Sequence, residues 1–100
     1  MKILIIDDEK SIRLSLKINI KKLGVTVLDA DTGEEGLRML DDHDPDIAIV
    51  DIKLPGIDGI EVLKEIKKRK PSCTVIMITY LSEVKLAVKA MKLGAYDYLT

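Results

Sequence analysis

Residues 47–59 read IAIVDIKLPGIDG, a short apolar run that ends at an aspartate and continues into a turn with proline and glycine. Further runs of isoleucine, valine and leucine lie at 3–6, 25–28 and 75–78, and a weaker one lies at 95–99. A run that is apolar throughout is typical of a parallel strand covered on both faces. The pattern therefore predicts the strands of one parallel sheet.

Segments with helical periodicity separate these runs, and they span residues 9–23, 34–42, 60–70 and 82–93. Gly24 and Gly94 follow the first and last of them, at a position where glycine often ends a helix. This alternation predicts an α/β domain with a doubly wound, five-stranded parallel sheet and right-handed crossovers. A complete pattern of this kind has a fifth helix after the fifth strand. We therefore expect residues 1–100 to be one domain that is truncated before its final helix.

The composition indicates one folded domain. Its 100 residues are 47% hydrophobic and 33% charged, which excludes intrinsic disorder. The 16 basic residues nearly balance 17 acidic ones, whereas a domain that binds nucleic acid directly is usually strongly basic. No apolar run approaches the ~20 residues of a membrane span, and the lone Cys73 is typical of a reducing compartment. We therefore expect a cytoplasmic domain that contacts neither a membrane nor nucleic acid.

Acidic residues follow two of the predicted strands. Asp7 and Asp8 come after the first strand, Asp51 follows the third, and Thr79 follows the fourth. In a parallel sheet these strand ends share one edge, where open α/β folds bind ligands. Three carboxylates there repel one another unless a cation lies among them or they take up protons, and oxygen ligands favour a hard ion such as Mg²⁺. The alternative is that each aspartate separately caps a helix or a turn. That alternative does not explain why all three are expected at one edge of the sheet.

These residues belong to a set that closely resembles the receiver domain of bacterial two-component response regulators. The set consists of residues 7–9, 51–59, Thr79 and 94–100, and the resemblance covers the whole chain. It implies the flavodoxin-like strand order 2-1-3-4-5, which the apolar runs alone do not determine. Residues 87–93 and 94–100 look most like receivers of σ54-dependent (NtrC-like) AAA+ transcription activators. That likeness implies such an output domain as a partner.

The resemblance implies that Asp51 is the phosphoacceptor and takes a phosphoryl group from the phosphohistidine of a sensor histidine kinase. Mg²⁺, or Mn²⁺ in its place, is the implied cofactor. Its ligands would be Asp8 and Asp51 directly, Asp7 through a water molecule, and the backbone carbonyl of Lys53. Such an ion neutralises charge on the transferring group and aligns it with the attacking carboxylate.

Thr79 and Tyr98 are the switch residues that the resemblance implies. Thr79 would hydrogen-bond a phosphoryl oxygen, and Tyr98 would turn inward once Thr79 moves. Without the aspartates, a strand-end threonine and a core tyrosine are the simpler interpretation. Pro55 and Gly59 fit a fixed, tight loop beside the acceptor. Tyr80 departs from the family, which has a small residue there; its ring would screen the site from water and small phosphodonors unless it points to solvent.

The fourth helical segment carries apolar residues on two sides. The first stripe suits packing on the sheet and consists of Val84, Ala87, Val88 and Met91. The second, nearly opposite stripe consists of Leu86, Ala90 and Leu93. A helix that is apolar on two sides has either a second helix beside it or a partner. In the resembling family this helix helps to form the output and dimerisation face, so we expect the second stripe to contact an output domain or a second copy; the alternative is scattered surface apolar residues. Without a fifth helix, one face of the third, fourth and fifth strands would lie bare, and Leu14 and Ile18 of the first helical segment would add to that apolar patch. We therefore predict that the chain self-associates through this face or is less stable than a form that includes the fifth helix.

Three functions are compatible with an acidic edge of this kind. A hydrolytic phosphatase of the haloacid dehalogenase type needs an aspartate two residues after the nucleophile, where Lys53 stands. A pseudo-receiver, which only binds partners, is expected to lack one of the three aspartates, and all three are present. We therefore predict a phosphorylation-dependent switch, not a classical enzyme, in which helix 4 and strand 5 report the state of Asp51. The family's lysine that pairs with the phosphoryl group follows the position of Thr100 and lies beyond this chain.

Overall fold

Strands and helices alternate along the chain. The computed structural model describes the backbone of residues 1–100 and the side chains of all but Leu81. Its elements are β1 (Lys2–Ile6), α1 (Lys10–Lys21), β2 (Thr26–Ala30), α2 (Gly33–His43), β3 (Ile47–Asp51), α3 (Gly59–Arg69), β4 (Thr74–Ile78), α4 (Val84–Lys92) and β5 (Asp97–Leu99). A single 3₁₀ turn, Leu81–Glu83, precedes α4. Within the described part of the chain, no helix is long and apolar enough to cross a bilayer.

The strands pair in parallel in the order β2-β1-β3-β4-β5. The predicted doubly wound α/β sheet and its strand order are therefore confirmed. The fourth helix is shorter than predicted, because α4 begins at Val84 after the 3₁₀ turn rather than at Ser82. In this order the carboxyl ends of β1, β3 and β4 are neighbours at one edge of the sheet.

The main hydrophobic core lies between one face of the sheet and helices α2, α3 and α4. Leu4 of β1, Val50 of β3 and Met77 of β4 are fully buried and form one cluster with side chains of these helices. Their neighbours along each strand point to the opposite face, because side chains alternate in a strand. Burial of each such side chain contributes roughly 1.5–3 kcal/mol, so this core fixes the positions of the strand ends.

The opposite face of the sheet is partly exposed. Helix α1 packs there against β1 and β2. Ile76 and Ile78 of β4 are half-buried, and Leu14 and Ile18 of α1 are 54% and 51% exposed. Ile49 of β3 is buried, so the bare face expected over β3, β4 and β5 is narrower than predicted. Self-association through this face stays a prediction.

Helix α4 is oriented differently from the prediction. Its inward side chains are the fully buried Ala87 and Ala90 and the core-packed Leu86 and Leu93. Its exposed apolar side chains are Val84, Val88 and Met91. The prediction that Leu86, Ala90 and Leu93 form an outward interface is therefore wrong. Periodicity does not orient a helix that is apolar on two sides, and here the two small alanines let its backbone approach the core closely.

Candidate functional site

The predicted acidic residues lie together at the carboxyl edge of the sheet. Asp7 follows β1, Asp51 ends β3, and Thr79 follows β4. The register aligns Ile6 with Val50, and Asp51 with Ile78. The three strand ends therefore stop at nearly the same level, and the side chains that follow them converge.

Asp7, Asp8 and Asp51 form an acidic cluster. Among the described residues, each offers one carboxylate oxygen such that the three oxygens lie within 4.8 Å of one another. Asp7 is fully buried, Asp51 is 5% exposed, and Asp8 is exposed to solvent. The cluster thus has two carboxylates at its floor and one at its mouth.

The surroundings of this cluster disfavour the ionised forms of Asp51 and Asp7 and so raise the pKa of each. Burial, followed by the charge of Asp7, raises the pKa of Asp51 to about 6, although the Lys53 N–H donates to Asp51 Oδ1 at 3.1 Å. Burial is also the largest cause that raises the pKa of Asp7, and the charge of Asp8 adds to it. The Glu9 N–H, which donates to Asp7 Oδ1 at 2.8 Å, opposes that rise.

The cluster fits a divalent cation. Asp7 Oδ2 is buried and has no hydrogen-bond partner among the described residues. A buried carboxylate oxygen without a partner is costly, and a cation beside it removes that cost. The oxygen-only donor set suits Mg²⁺ or Mn²⁺ rather than a soft metal. Ligation by the carbonyl of Lys53 stays a prediction.

Arg13 of α1 supports the turn that carries Asp7 and Asp8 through a hydrogen bond to the backbone. The sequence alone did not indicate this role. Its Nη1 donates to the carbonyl oxygen of Asp7 at 2.8 Å, and its Nε contacts Asp29 of β2 at 3.4 Å. Lys17 also pairs with Asp29, at 3.0 Å. No sequence pattern indicates this arrangement, because Asp29 is 16 residues from Arg13 and only the fold brings them together.

The loop after β3 is fixed by close packing. A Cβ built at Gly59 would lie 2.1 Å from the carbonyl oxygen of Asp51, so only glycine permits this approach of α3 to the end of β3. The Gly59 N–H donates to the carbonyl of Ile52 at 2.9 Å. Gly56 has a φ of +71°, which L side chains rarely adopt, and the neighbouring Pro55 is exposed. The close approach at Gly59 joins the start of α3 to the Asp51 backbone, and the role of Pro55 in fixing the loop stays a prediction.

Thr79 and Tyr98 lie on neighbouring strand ends. Thr79 is 3% exposed, and its hydroxyl donates to the carbonyl of Tyr80 at 3.1 Å. The Thr79 N–H donates to the carbonyl of Leu99 at 2.8 Å, which joins β5 to this edge. Tyr98 is half-buried, pairs with Met77 in the sheet register and packs against the core. The switch roles of Thr79 and Tyr98 stay predictions.

Two contacts cross the mouth of the cluster. The Tyr80 hydroxyl donates to Glu9 Oε1 at 2.7 Å, and Lys53 Nζ lies 3.3 Å from Glu83 Oε1. Tyr80 is 54% exposed, so its side chain lies partly in solvent while its hydroxyl reaches across to Glu9, and screening of the site by its ring stays a prediction. Glu9 was part of the sequence motif, but its pairing with a residue 71 positions away was not foreseen.

Comparison with known proteins identifies the class of protein. The family model of the response regulator receiver domain matches residues 3–100. The chain therefore belongs to the response regulator receiver domain family, whose members are signalling domains rather than classical enzymes. Receiver domains bind Mg²⁺ at an acidic pocket, and Asp7, Asp8 and Asp51 form the corresponding group here.

Individual relatives agree with this assignment. The chain is 39% identical over 99 residues to the alkaline phosphatase synthesis transcriptional regulatory protein PhoP of Bacillus subtilis (strain 168), a match that covers 99% of this chain and 41% of PhoP. It is 40% identical over 95 residues to the DNA-binding transcriptional regulator NtrC of Escherichia coli (strain K12), which covers 95% of this chain and 20% of NtrC. The chain thus spans less than half the length of these curated relatives.

Solved structures share the fold. A receiver domain protein from Clostridium thermocellum matches with a TM-score of 0.93 at 40% identity, over 98% of this chain and 79% of that one. The receiver domain of NtrX from Brucella abortus matches with a TM-score of 0.93 at 34% identity, over 97% of this chain and 82% of that one.

Proposed function

We propose that this receiver domain is a cytoplasmic phosphorylation switch in which Asp51 accepts a phosphoryl group from the phosphohistidine of a sensor histidine kinase. The observation that carries the proposal is the acidic cluster. Asp51 is 5% exposed at a strand end, with carboxylate oxygens of Asp7 and Asp8 within 4.8 Å of its own. The Gly59 contact and the Lys53 N–H hold Asp51 in place.

The proposed transfer is a direct displacement at phosphorus. Asp51 Oδ2 is the attacking atom, because Oδ1 already accepts the Lys53 N–H at 3.1 Å. A P–O bond forms, the P–N bond breaks, and its electron pair stays on the imidazole nitrogen, which takes up a proton. Water later attacks the phosphorus atom, the bond to Asp51 breaks, and inorganic phosphate leaves while the carboxylate is restored.

Asp8 and Asp51 would hold Mg²⁺ or Mn²⁺ directly, with Asp7 acting through water and the Lys53 carbonyl completing the protein ligands. When bound, the ion neutralises charge on the transferring phosphoryl group. The unpaired Oδ2 of Asp7 supports this assignment, because it needs a polar or cationic partner.

Thr79 and Tyr98 would transmit the change. The Thr79 hydroxyl would leave the carbonyl of Tyr80, which it now contacts at 3.1 Å, and donate to a phosphoryl oxygen. Tyr98 would then move further inward and change the surface formed by α4 and β5. The exposed apolar residues available to a partner on α4 are Val84, Val88 and Met91.

The output of the switch is proposed from the relatives. PhoP and NtrC are transcriptional regulators longer than this chain. We infer that the domain controls an output domain, of the AAA+ σ54-dependent kind that NtrC exemplifies, and forms a homodimer or self-associates. The domain itself would not contact nucleic acid, since its formal net charge is −1.

Intact-mass spectrometry tests the proposal. The chain is incubated with phosphoramidate and Mg²⁺, and the expected result is a gain of one phosphoryl group that requires Mg²⁺ and disappears in Asp51→Asn. Asp58→Asn is the matched control, because Asp58 lies in the same loop, caps α3 through the Glu61 N–H, and asparagine caps equally well. Absence of any gain in a chain extended past Thr100 to include the family's lysine would contradict the switch and favour a pseudo-receiver that only binds partners.

A further inference from the structure

The segment that follows β4 is tied to both loops that carry the aspartates. Tyr80 reaches Glu9, which directly follows Asp7 and Asp8, through a hydrogen bond of 2.7 Å. Glu83 reaches Lys53, two residues after Asp51, at 3.3 Å. The two links therefore cross the mouth of the acidic cluster from the same segment.

Both links are partly exposed to solvent: Tyr80 is 54% exposed, and its hydrogen bond to Glu9 lies at the surface. Lys53 is 62% exposed, and an exposed ion pair contributes little because solvent screens it. The Tyr80 hydroxyl instead donates to an ionised carboxylate, which makes the hydrogen bond charge-assisted. Glu9, as acceptor and as charge, raises the pKa of the Tyr80 phenol to about 12, and the charges of Asp51 and Asp7 also contribute. The phenol therefore stays protonated and remains the donor at neutral pH.

The hydrogen bond between Tyr80 and Glu9 also affects Thr79. The Thr79 hydroxyl donates to the carbonyl oxygen of Tyr80, so the contact with Glu9 holds the residue that Thr79 must release. Entry of a phosphodonor and movement of Thr79 would both require the Tyr80 ring to move away from Glu9.

We propose that Tyr80 is a specificity-determining residue of the phosphoryl transfer: its ring, held across the acidic cluster by Glu9, limits the access of phosphodonors and water to Asp51. This inference rests on the proposed function of Asp51 as phosphoacceptor. The bulk of the ring would exclude phosphodonors and water from Asp51, and the hydroxyl holds the ring in place through Glu9. The two contributions are separable by substitution.

The test compares three variants with two small donors, phosphoramidate and the bulkier phosphoimidazole, in the presence of Mg²⁺. Tyr80→Phe keeps the ring and removes its anchor, whereas Tyr80→Ala removes both. Tyr96→Phe is the matched control, because Tyr96 is 72% exposed on the loop before β5. Loading is followed by intact mass, and loss of the phosphoryl group is followed after the donor is removed.

Loss of the anchor in Tyr80→Phe should speed loading by both donors about fivefold. Tyr80→Ala should also speed loss of the phosphoryl group. In addition it should favour phosphoimidazole over phosphoramidate relative to the unsubstituted chain, because the opening is wider. A general loosening of the fold would not change that donor preference, and Tyr96→Phe should match the unsubstituted chain throughout.

The outcomes separate this inference from the proposed function. If the unsubstituted chain loads but Tyr80→Phe and Tyr80→Ala load and decay at its rate, or more slowly, the role of Tyr80 is refuted while Asp51 remains the acceptor. If the unsubstituted chain, extended past Thr100 to include the family's lysine, gains no mass with either donor, the proposed function fails and the inference fails with it. Should Tyr80→Ala melt early, the comparison of Tyr80→Phe with Tyr96→Phe decides the matter.

Discussion

Replacement of Asp51 by asparagine should stabilise the domain near neutral pH in the absence of Mg²⁺. Asp51 is 5% exposed, and burial together with the charge of Asp7 raises its pKa from 3.8 to about 6. Asparagine has nearly the same shape and carries no charge. Its side-chain oxygen can still accept the Lys53 N–H that now donates to Oδ1 at 3.1 Å.

The raised pKa of Asp51 determines both the size and the pH window of the effect. A rise of about two units corresponds to ~3 kcal/mol, at 1.36 kcal/mol per unit. Because the pKa is higher in the folded state, this group favours folding below the unfolded pKa near 4, and that contribution is lost as pH rises through about 6. The asparagine variant has no such loss. Its advantage over the unsubstituted chain should grow between pH 4 and 6 and level off above pH 7.

Urea unfolding of both proteins between pH 5 and 8, with EDTA present, measures this difference. Asp42→Asn is the control, because Asp42 is exposed on α2. Mg²⁺ should then stabilise the unsubstituted chain more than Asp51→Asn, since an ion bound only to the folded state adds to its stability. If the asparagine variant is less stable at pH 7.5, or if its advantage does not vary with pH, the electrostatic reading of the cluster is wrong.

Three further sets of substitutions test the packing of the loop after β3, the support of the Asp7 backbone and the exposed apolar side of α1. Gly59→Ala should destabilise the fold by more than ~2 kcal/mol in urea unfolding, because its Cβ would lie 2.1 Å from a backbone oxygen. Gly24→Ala, with a φ of +78° but open space around the Cβ, should cost only ~1 kcal/mol, and equal costs would contradict the steric argument. Arg13→Ala should weaken Mg²⁺ binding about tenfold in an NMR titration by freeing the Asp7 backbone, whereas tighter binding would show that its charge matters more than its hydrogen bond. Sedimentation should detect self-association that the double change Leu14→Glu and Ile18→Glu abolishes, and a monomeric unsubstituted chain would refute that interface.

The sequence predicted the sheet because its strands are unambiguous. Runs such as 3–6 and 47–50 are apolar on both faces, and so short a run of this kind is typical of a strand in a parallel sheet. The acidic cluster followed from the same reasoning, since residues after parallel strands meet at one edge. The strand order did not follow from these runs and came from the family resemblance.

Contacts that depend on orientation or on distant partners were beyond the sequence. Helix α4 has two apolar sides, and the pattern placed Ala87 inward but did not show that Ala90 would be buried beside it. The Tyr80–Glu9 hydrogen bond joins residues 71 positions apart, and neither residue type requires the other. The fold determines which loop residues meet, and the periodicity of the sequence carries no information about the positions of loop residues in three dimensions.

Localisation of the phosphoryl group distinguishes Asp51 from the neighbouring aspartates as the acceptor. The chain is loaded with phosphoramidate and Mg²⁺, reduced with sodium borohydride, which converts an aspartyl phosphate into homoserine, and digested for sequencing by mass spectrometry. We expect homoserine at position 51, dependent on both the donor and Mg²⁺. Homoserine at position 7 or 8 with an intact Asp51, or a phosphoryl group on a residue other than aspartate, would contradict it.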